Sequence, residues 1–322
     1  MQAYSKSKMQ RDGNAVLVTG GAGFIGSHLV ERLVKEGLEV RVLDDFSSGR
    51  PENLREVCSQ ITVHEGSILD RSLLARAAEG CSCIFHLAAV VSVPLSIERP
   101  DYVNEVNGTG TFAVVEAART HGSRVVFSSS AAVYGEVSCP VQSEDEPLDP
   151  ISPYGVQKSI GELYLRSYHR VHGLEAFALR YFNVYGPRQD AGSPYSGVIS
   201  IFLDRARKGE DLVIFGNGAQ TRDYVHVDDV VQANFAAMRA HHADGAALNV
   251  GTGKPTDLNT LARSILRSHG DRGKIQYREP RNGDIPHSCA HPERARARLA
   301  FTAKTDIHQG LNSLIASGIL GE

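Results

Sequence analysis

Short runs of β-branched and apolar residues alternate along the chain with stretches whose apolar positions recur every three or four residues. AVLVTG (15–20) is apolar on both faces, the pattern of a parallel strand buried from two sides. FIGSHLVERLVKEG follows, with Ile25, Leu29 and Leu33 at helical spacing and Gly37 suited to the helix C-terminus. EVRVLD and ITVHEG predict the second and third strands. CIFHLAA, SRVVFSSS and LEAFALRYFN predict three more, separated by helices around 101–121 and 154–172. This alternation predicts an α/β fold built on a doubly wound parallel sheet.

The second half is less regular. GPRQDAGSPYSG (186–197) is rich in Gly, Pro and Ser and reads as a long functional or connecting loop, and 273–286 is again broken by Pro and Gly. Short strands at LVIF and ALNVG mix with helices, and HPERARARL (291–299) reads as a helix with solvated arginines. The expected division is a disordered leader over 1–12 and a Rossmann-type nucleotide domain over 13–180, to which 223–250 returns. A smaller mixed α/β substrate region over 181–222 and 251–322 completes it.

Composition narrows the field. The 322 residues, 42% of them hydrophobic, can bury a sizeable core, and a net charge of −3 argues against nucleic acid or an anionic membrane as main partner. No apolar run reaches the roughly 18 residues of a transmembrane helix. Five cysteines without metal-ligand spacing fit a reduced, cytoplasmic chain, and Cys81 and Cys83 are too close for an ordinary bridge. No metal site is expected.

TGGAGFIG (19–26) links the first strand to the first helix and places glycines at 20, 21, 23 and 26. Glycines here let backbone approach a pyrophosphate, and the helix N-terminus offers free N–H groups. Asp44 ends the second strand, where a carboxylate can accept the hydroxyls of an adenosine ribose and repel a 2′-phosphate. NAD is therefore expected over NADP.

SPYGVQK carries Tyr154 and Lys158 at i and i+4, on one helix face. An ammonium beside a phenol is expected to depress the phenol's pKa and make it a general base. The SSS of 128–130 ends a strand at its carboxyl edge, where ligands of open α/β sheets bind, and a serine there can hydrogen-bond the same substrate oxygen. A serine hydrolase is disfavoured: there is no G-x-S-x-G elbow and no suitably placed histidine.

Together TGGAGFIG, HLAA, SSSAAVYG, YGVQK and RYFNVYGPRQ resemble the extended short-chain dehydrogenase/reductase family. RYFNVYGPRQD, TRDYVHVDDVV, NVGTG and RNGDIPHS narrow the likeness to nucleotide-sugar epimerases, most like UDP-hexose 4-epimerases, over residues 14–315. The resemblance implies NAD contacts at Gly20, Gly23, Phe24, Ile25, Gly26, Asp44, Ser48, Ile68, Leu87, Ala88, Ala89, Tyr154, Lys158 and Tyr181. It makes Tyr154 the base, Lys158 its activator and nicotinamide-ribose ligand, and Ser130 the hydroxyl at sugar O4. Asn183, Val198 and Phe215 would line the UDP-sugar site, with Arg222 and Arg281 on the diphosphate, Asp284 on the uridine ribose and Ser288 facing the sugar. Two guanidiniums suit a dianionic diphosphate. The implied reaction oxidises C4 to a ketone and returns hydride to the opposite face. A homodimer through the helices at 101–119 and 154–170 is implied too, for which Phe112, Val115 and Ala118 would suit either the interface or the core.

Departures from the family refine this. Ser67 stands where some members have an aspartate on the adenine amine, which would loosen NAD. Val91 replaces a lysine of glucose-type members, and VVSVPLSIERP is similar to forms that handle N-acetylated sugars. Ser288 stands where a bulky tyrosine would exclude a 2-acetamido group. Ala131 and Ala132 replace the acid that dehydratases and decarboxylases place after the catalytic hydroxyl. UDP-N-acetylglucosamine and UDP-glucose are thus the expected substrates. A UDP-glucuronate 4-epimerase stays open as the alternative, and a non-catalytic NAD-binding sensor is disfavoured by the intact serine, tyrosine and lysine.

Overall fold

The computed structural model describes residues 13–136, 139–190, 197–280 and 285–317. The predicted leader over 1–12 lies outside them. Six strands arrive in the predicted order: β1 (Ala15–Thr19), β2 (Glu39–Asp44), β3 (Ile61–Glu65), β4 (Cys83–His86), β5 (Arg124–Ser130) and β6 (Ala176–Tyr181). β7 (Asn183–Tyr185), β8 (Leu212–Phe215) and β9 (Thr221–His226) precede β10 (Asp244–Val250), which pairs with β6. The main sheet thus has seven strands in the order β3-β2-β1-β4-β5-β6-β10, parallel throughout. The order reverses between β1 and β4, which opens a crevice at the carboxyl edge.

Helices cover both faces: α1 (Phe24–Lys35), α2 (Arg71–Ala78), α3 (Val93–Glu98), α4 (Pro100–Asn104), α5 (Gly110–His121) and α6 (Pro153–His172) come first. α7 (Val198–Lys208), α8 (Val227–Arg239), α9 (Leu258–Ser268), α10 (Glu293–Leu299) and α11 (Ile307–Ser317) follow. One apolar layer joins α1 and α8 to the sheet through Leu29, Leu33, Val230 and Phe85. The other joins α2, α5 and α6 through Leu74, Val114, Leu165 and Phe127. Val115 and Ala118 are fully buried in it, whereas Phe112 packs on Tyr164 at a ring distance of 5.3 Å.

Local details depart from periodicity. α1 ends at Lys35 with Glu36 as its cap, and Gly37 follows at φ +78°, one position beyond the expected cap. A 3-10 segment, Pro51–Gln60, occupies the β2–β3 crossover. The helix expected from 101 to 121 is interrupted by a π turn at Glu105–Thr109.

The remaining strands are β11 (Pro255–Asp257), β12 (Ile275–Arg278) and β13 (His287–Ser288). β9 pairs with β7, β11 and β13, and β8 pairs with β12, inside the stretch that reads as broken. α7, α9 and α11 pack these strands into a separate apolar cluster around Phe202, Leu203, Ile265 and Leu311.

Candidate active site

β1 delivers the chain to Gly20 at φ +72°, a left-handed conformation that disfavours a side chain. A Cβ at Gly20 would also lie 2.7 Å from the Ala88 nitrogen, and one at Gly26 only 2.0 Å from the Gly20 oxygen. These glycines therefore serve both the turn and the seating of α1 against it. Gly23 caps α1 without a side-chain bond, and no acidic residue occupies the first turn, which leaves the positive end of the helix to an anion.

Asp44 is buried at the end of β2, where Oδ2 accepts from Ala22 N at 2.8 Å and Oδ1 from Phe46 N at 2.9 Å. Burial raises its pKa and the two N–H bonds oppose that shift. A carboxylate has about four acceptor sites, so both oxygens keep capacity for hydroxyls.

Gly20, Gly23, Phe24, Ile25, Gly26, Asp44, Ser48, Ile68, Leu87, Ala88 and Ala89 line one continuous cleft across the β1–β4 crevice. Ser67, Val91 and Ser128 line it as well. So do Tyr102, in α4, and Val106, in the π turn, which sequence reasoning missed. Asn107, in the same turn, was missed too. Its Oδ1 accepts from Val90 N (2.8 Å) and its Nδ2 donates to Val90 O (2.9 Å), clamping the loop that walls the cleft.

At the end of β5, Ser130 Oγ accepts from Ala132 N at 3.2 Å, and its hydroxyl lowers the pKa of the Tyr154 phenol. Tyr154 sits in the first turn of α6, fixed by the Ser152 cap on Gly155 N (3.1 Å) and by Ser96 Oγ on its own N–H (3.2 Å). Lys158 Nζ donates to Ser128 O at 2.8 Å and lies 5.7 Å from the centre of the Tyr154 ring. The structure thus gathers Ser130, Tyr154 and Lys158 at one edge of the sheet.

The electrostatics differ from the sequence expectation. Burial pushes the Tyr154 phenol up to about 12, with the Ser130 hydroxyl pulling it down. The ammonium does not lower the phenol here: burial pushes Lys158 down to about 7, and its proton is directed at a carbonyl. Near neutrality a buried amine of this kind is only partly charged, which weakens its pull on the neighbouring oxygen.

Tyr181 is buried beside this group, with its hydroxyl bonded to the Asn234 amide. His86 holds Thr19 Oγ1 at 2.9 Å and Thr111 Oγ1 at 3.0 Å, and burial pushes it down to about 3, so it stays neutral. No group of His, Cys, Asp and Glu among the described residues could hold a metal.

A second cleft opens beyond β6, lined by the predicted Asn183, Val198, Phe215 and Arg222. Arg205, Tyr224 and Arg278 line it too; Tyr224 falls within TRDYVHVDDVV, and no motif covered Arg205 or Arg278. Ser288 pairs in register with Arg222 across β13 and β9. Arg281 and Asp284 lie outside the described residues. The fully buried Asp223 braces this region, accepting from Thr252 N (2.9 Å), Gly253 N (2.9 Å) and Ala290 N (3.1 Å). That accounts for the DYVH and NVGTG segments as a matched pair.

A profile of the NAD dependent epimerase/dehydratase family matches residues 16–251. A UDP-glucose 4-epimerase of Mycolicibacterium smegmatis is 41% identical over 300 residues, 92% of this chain and 95% of that protein. A UDP-N-acetyl-alpha-D-glucosaminuronate decarboxylase of Bacillus cytotoxicus is 36% identical over 266 residues, 81% of this chain and 82% of that protein. Among solved structures, a UDP-N-acetylglucosamine 4-epimerase from Methanobrevibacter ruminantium, in complex with UDP-N-acetylmuramic acid, superposes with a TM-score of 0.89. It is 35% identical, and the alignment covers 95% of this chain and 99% of that one. Likeness on this scale runs through the whole fold, second cleft included, and the chain belongs to the NAD dependent epimerase/dehydratase family.

Proposed function

We propose that the protein is an NAD-dependent isomerase that inverts C4 of a UDP-hexose, UDP-N-acetylglucosamine and UDP-glucose being the favoured substrates. The gathering of Ser130, Tyr154 and Lys158 at one edge of the sheet, with Ala131 and Ala132 after the serine instead of an acid, carries this reading.

The first cleft fits NAD on its own features: a glycine turn that a Cβ would fill, an uncapped helix N-terminus and a carboxylate at the end of β2. The turn and α1 would hold the pyrophosphate, Asp44 the adenosine ribose and Lys158 the nicotinamide ribose. NAD when bound supplies a reversible hydride acceptor. As phenolate, the form that the positive charge of bound NAD would favour against burial, Tyr154 takes the proton from the 4-hydroxyl and later returns it, while Ser130 holds the same oxygen through both steps. Arg222, with Arg281, would neutralise the diphosphate, Asn183, Val198 and Phe215 would line the nucleotide, and Asp284 would accept from its ribose. With the nucleotide anchored, the 4-keto sugar turns over and is reduced on its other face. Because Ala131 and Ala132 bring no second proton-transfer group, the ketone is reduced again instead of eliminating or losing carboxylate.

We assign NAD to 13–180 with 223–250 and the UDP-sugar to 181–222 with 251–322. The small Ser288 leaves room for an acetamido group. Exposed Val156, Leu163 and Val171 on one side of α6 support a homodimer. No helix among the described residues is long and apolar enough to cross a membrane, in keeping with a cytoplasmic enzyme.

The test is to supply purified protein with NAD and UDP-glucose, UDP-N-acetylglucosamine or UDP-glucuronate and to resolve C4 epimers chromatographically. Interconversion of a glucose- or acetamido-type pair is expected. Absence of both overturns the reading. Epimerisation of the uronate alone would favour the alternative substrate, and a pentose product with release of carbon dioxide would favour a decarboxylase.

A further inference from the structure

α6 presents Tyr154, Lys158 and Glu162 at i, i+4 and i+8, one stripe along the helix, toward the three serines that end β5. Each serine holds one of them. Ser128 accepts from Lys158 through its carbonyl (2.8 Å), Ser129 donates its hydroxyl to Glu162 Oε1 (2.6 Å), and the Ser130 hydroxyl acts on the Tyr154 phenol, lowering its pKa. Two of these contacts involve groups proposed to touch substrate or cofactor. The third does not, and it is the most deeply enclosed: Ser129, Glu162 and Arg180 are 2%, 1% and 3% exposed.

Arg180 stands opposite Ser129 in the β5–β6 register and grips the same carboxylate with a fork, Nε to Oε1 at 2.9 Å and Nη2 to Oε2 at 2.7 Å. Its guanidinium lies 4.7 Å above the Tyr134 ring. A planar bidentate pair dictates orientation as well as distance. Buried ion pairs add little net stability over apolar residues of the same volume, so the value of this one lies in geometry. Sliding α6 by one residue would move every side chain by about 1.5 Å and turn it by about 100°, which this fork forbids.

We propose that Ser129, Glu162 and Arg180 are positioning residues that lock α6 to β5 and so set the Tyr154 hydroxyl against Ser130. The inference rests on Tyr154 and Ser130 being the reacting pair. Its test is Ser129→Ala, which removes one bond and leaves the ion pair intact, assayed as the NAD-loaded enzyme and by crystallography. The variant should fold with a modestly lower thermal midpoint, keep its KM, lose about tenfold in kcat, and show the Tyr154 hydroxyl displaced relative to Ser130 from its wild-type position. A Tyr154 hydroxyl unmoved relative to Ser130 in the variant crystal, or an unchanged kcat, overturns the inference. Glu162→Gln should lose more, because the fork goes with it; should it fail to fold, Ser129→Ala decides alone. If the wild-type protein turns over no UDP-sugar, the functional reading fails, and the crystallographic position of Tyr154 still decides the positioning role.

Discussion

Lys158 is hydrogen-bonded through Nζ to the carbonyl of Ser128 at 2.8 Å, two residues before the serine that meets Tyr154. The lysine is thus tied to the strand, in surroundings that disfavour its charge.

That strain sets a pH dependence. Burial lowers the folded-state pKa of Lys158 to about 7 from 10.5, so between those values the unfolded chain binds the extra proton. The cost to stability is complete below about pH 7 and is relieved as pH rises toward 10.5. Lys158→Met should therefore melt several degrees higher than wild type at pH 6, and the gain should shrink steadily by pH 10. Thermal unfolding followed by circular dichroism across that range checks it. A gain that does not change with pH would mean that the lysine's charge is not the cause.

Tyr154→Phe removes the phenol whose pKa Ser130 lowers and leaves the lining of the second cleft intact. Turnover should fall by at least about a thousandfold, while UDP binds within about twofold of wild type by calorimetry. Near-normal turnover would exclude Tyr154 as the base.

Ser288 pairs with Arg222 in the strand register, and Arg222 lines the second cleft. Ser288→Tyr should abolish activity on the acetamido sugar and leave the glucose-type substrate within about threefold, a discrimination that steric exclusion can supply. Steady-state rates on the two substrates measure it. Equal loss on both would argue against a size gate.

Arg124 opens β5 and closes α8: Nη1 reaches the carbonyls of Ala237 (3.1 Å), Met238 (2.5 Å) and Ala240 (2.7 Å), and the guanidinium pairs with Glu175. It is 6% exposed and satisfies helix-end acceptors that α8 cannot pair internally. Arg124→Ala should destabilise the fold by roughly 2–3 kcal/mol. Urea unfolding at pH 7.5 would register that as a lower midpoint with an unchanged slope. A midpoint equal to wild type would mean that water replaces the cap.

Much of the sheet was legible in the chain itself. AVLVTG, RVVF and FALRY are apolar on successive residues, and only a strand covered on both faces can hide them all. TGGAGFIG, Asp44 and the Tyr154–Lys158 spacing are equally local, because turn geometry, strand ends and helical periodicity are set within a few residues. The two alanines after Ser130 carried their message in the same way, by what they lack. Periodicity failed where backbone geometry leaves no hydrophobic signature. The π turn at Glu105–Thr109 looks like ordinary helix, yet it carries Val106, which lines the cleft, and Asn107, which clamps Val90 in its wall.

Tertiary structure alone decided how the pieces are gripped. Glu162 finds Ser129 from 33 positions away, and Asp223 finds Ala290 across 67. A lone carboxylate on a helix reads as a solvated charge until folding removes its water. The dielectric decided the protonation state too, since burial, and not the spacing to Lys158, governs the Tyr154 phenol. Sequence determined which groups arrive at the carboxyl edge of the sheet. Folding determined their distances and their charges, because both depend on desolvation by residues remote in the chain.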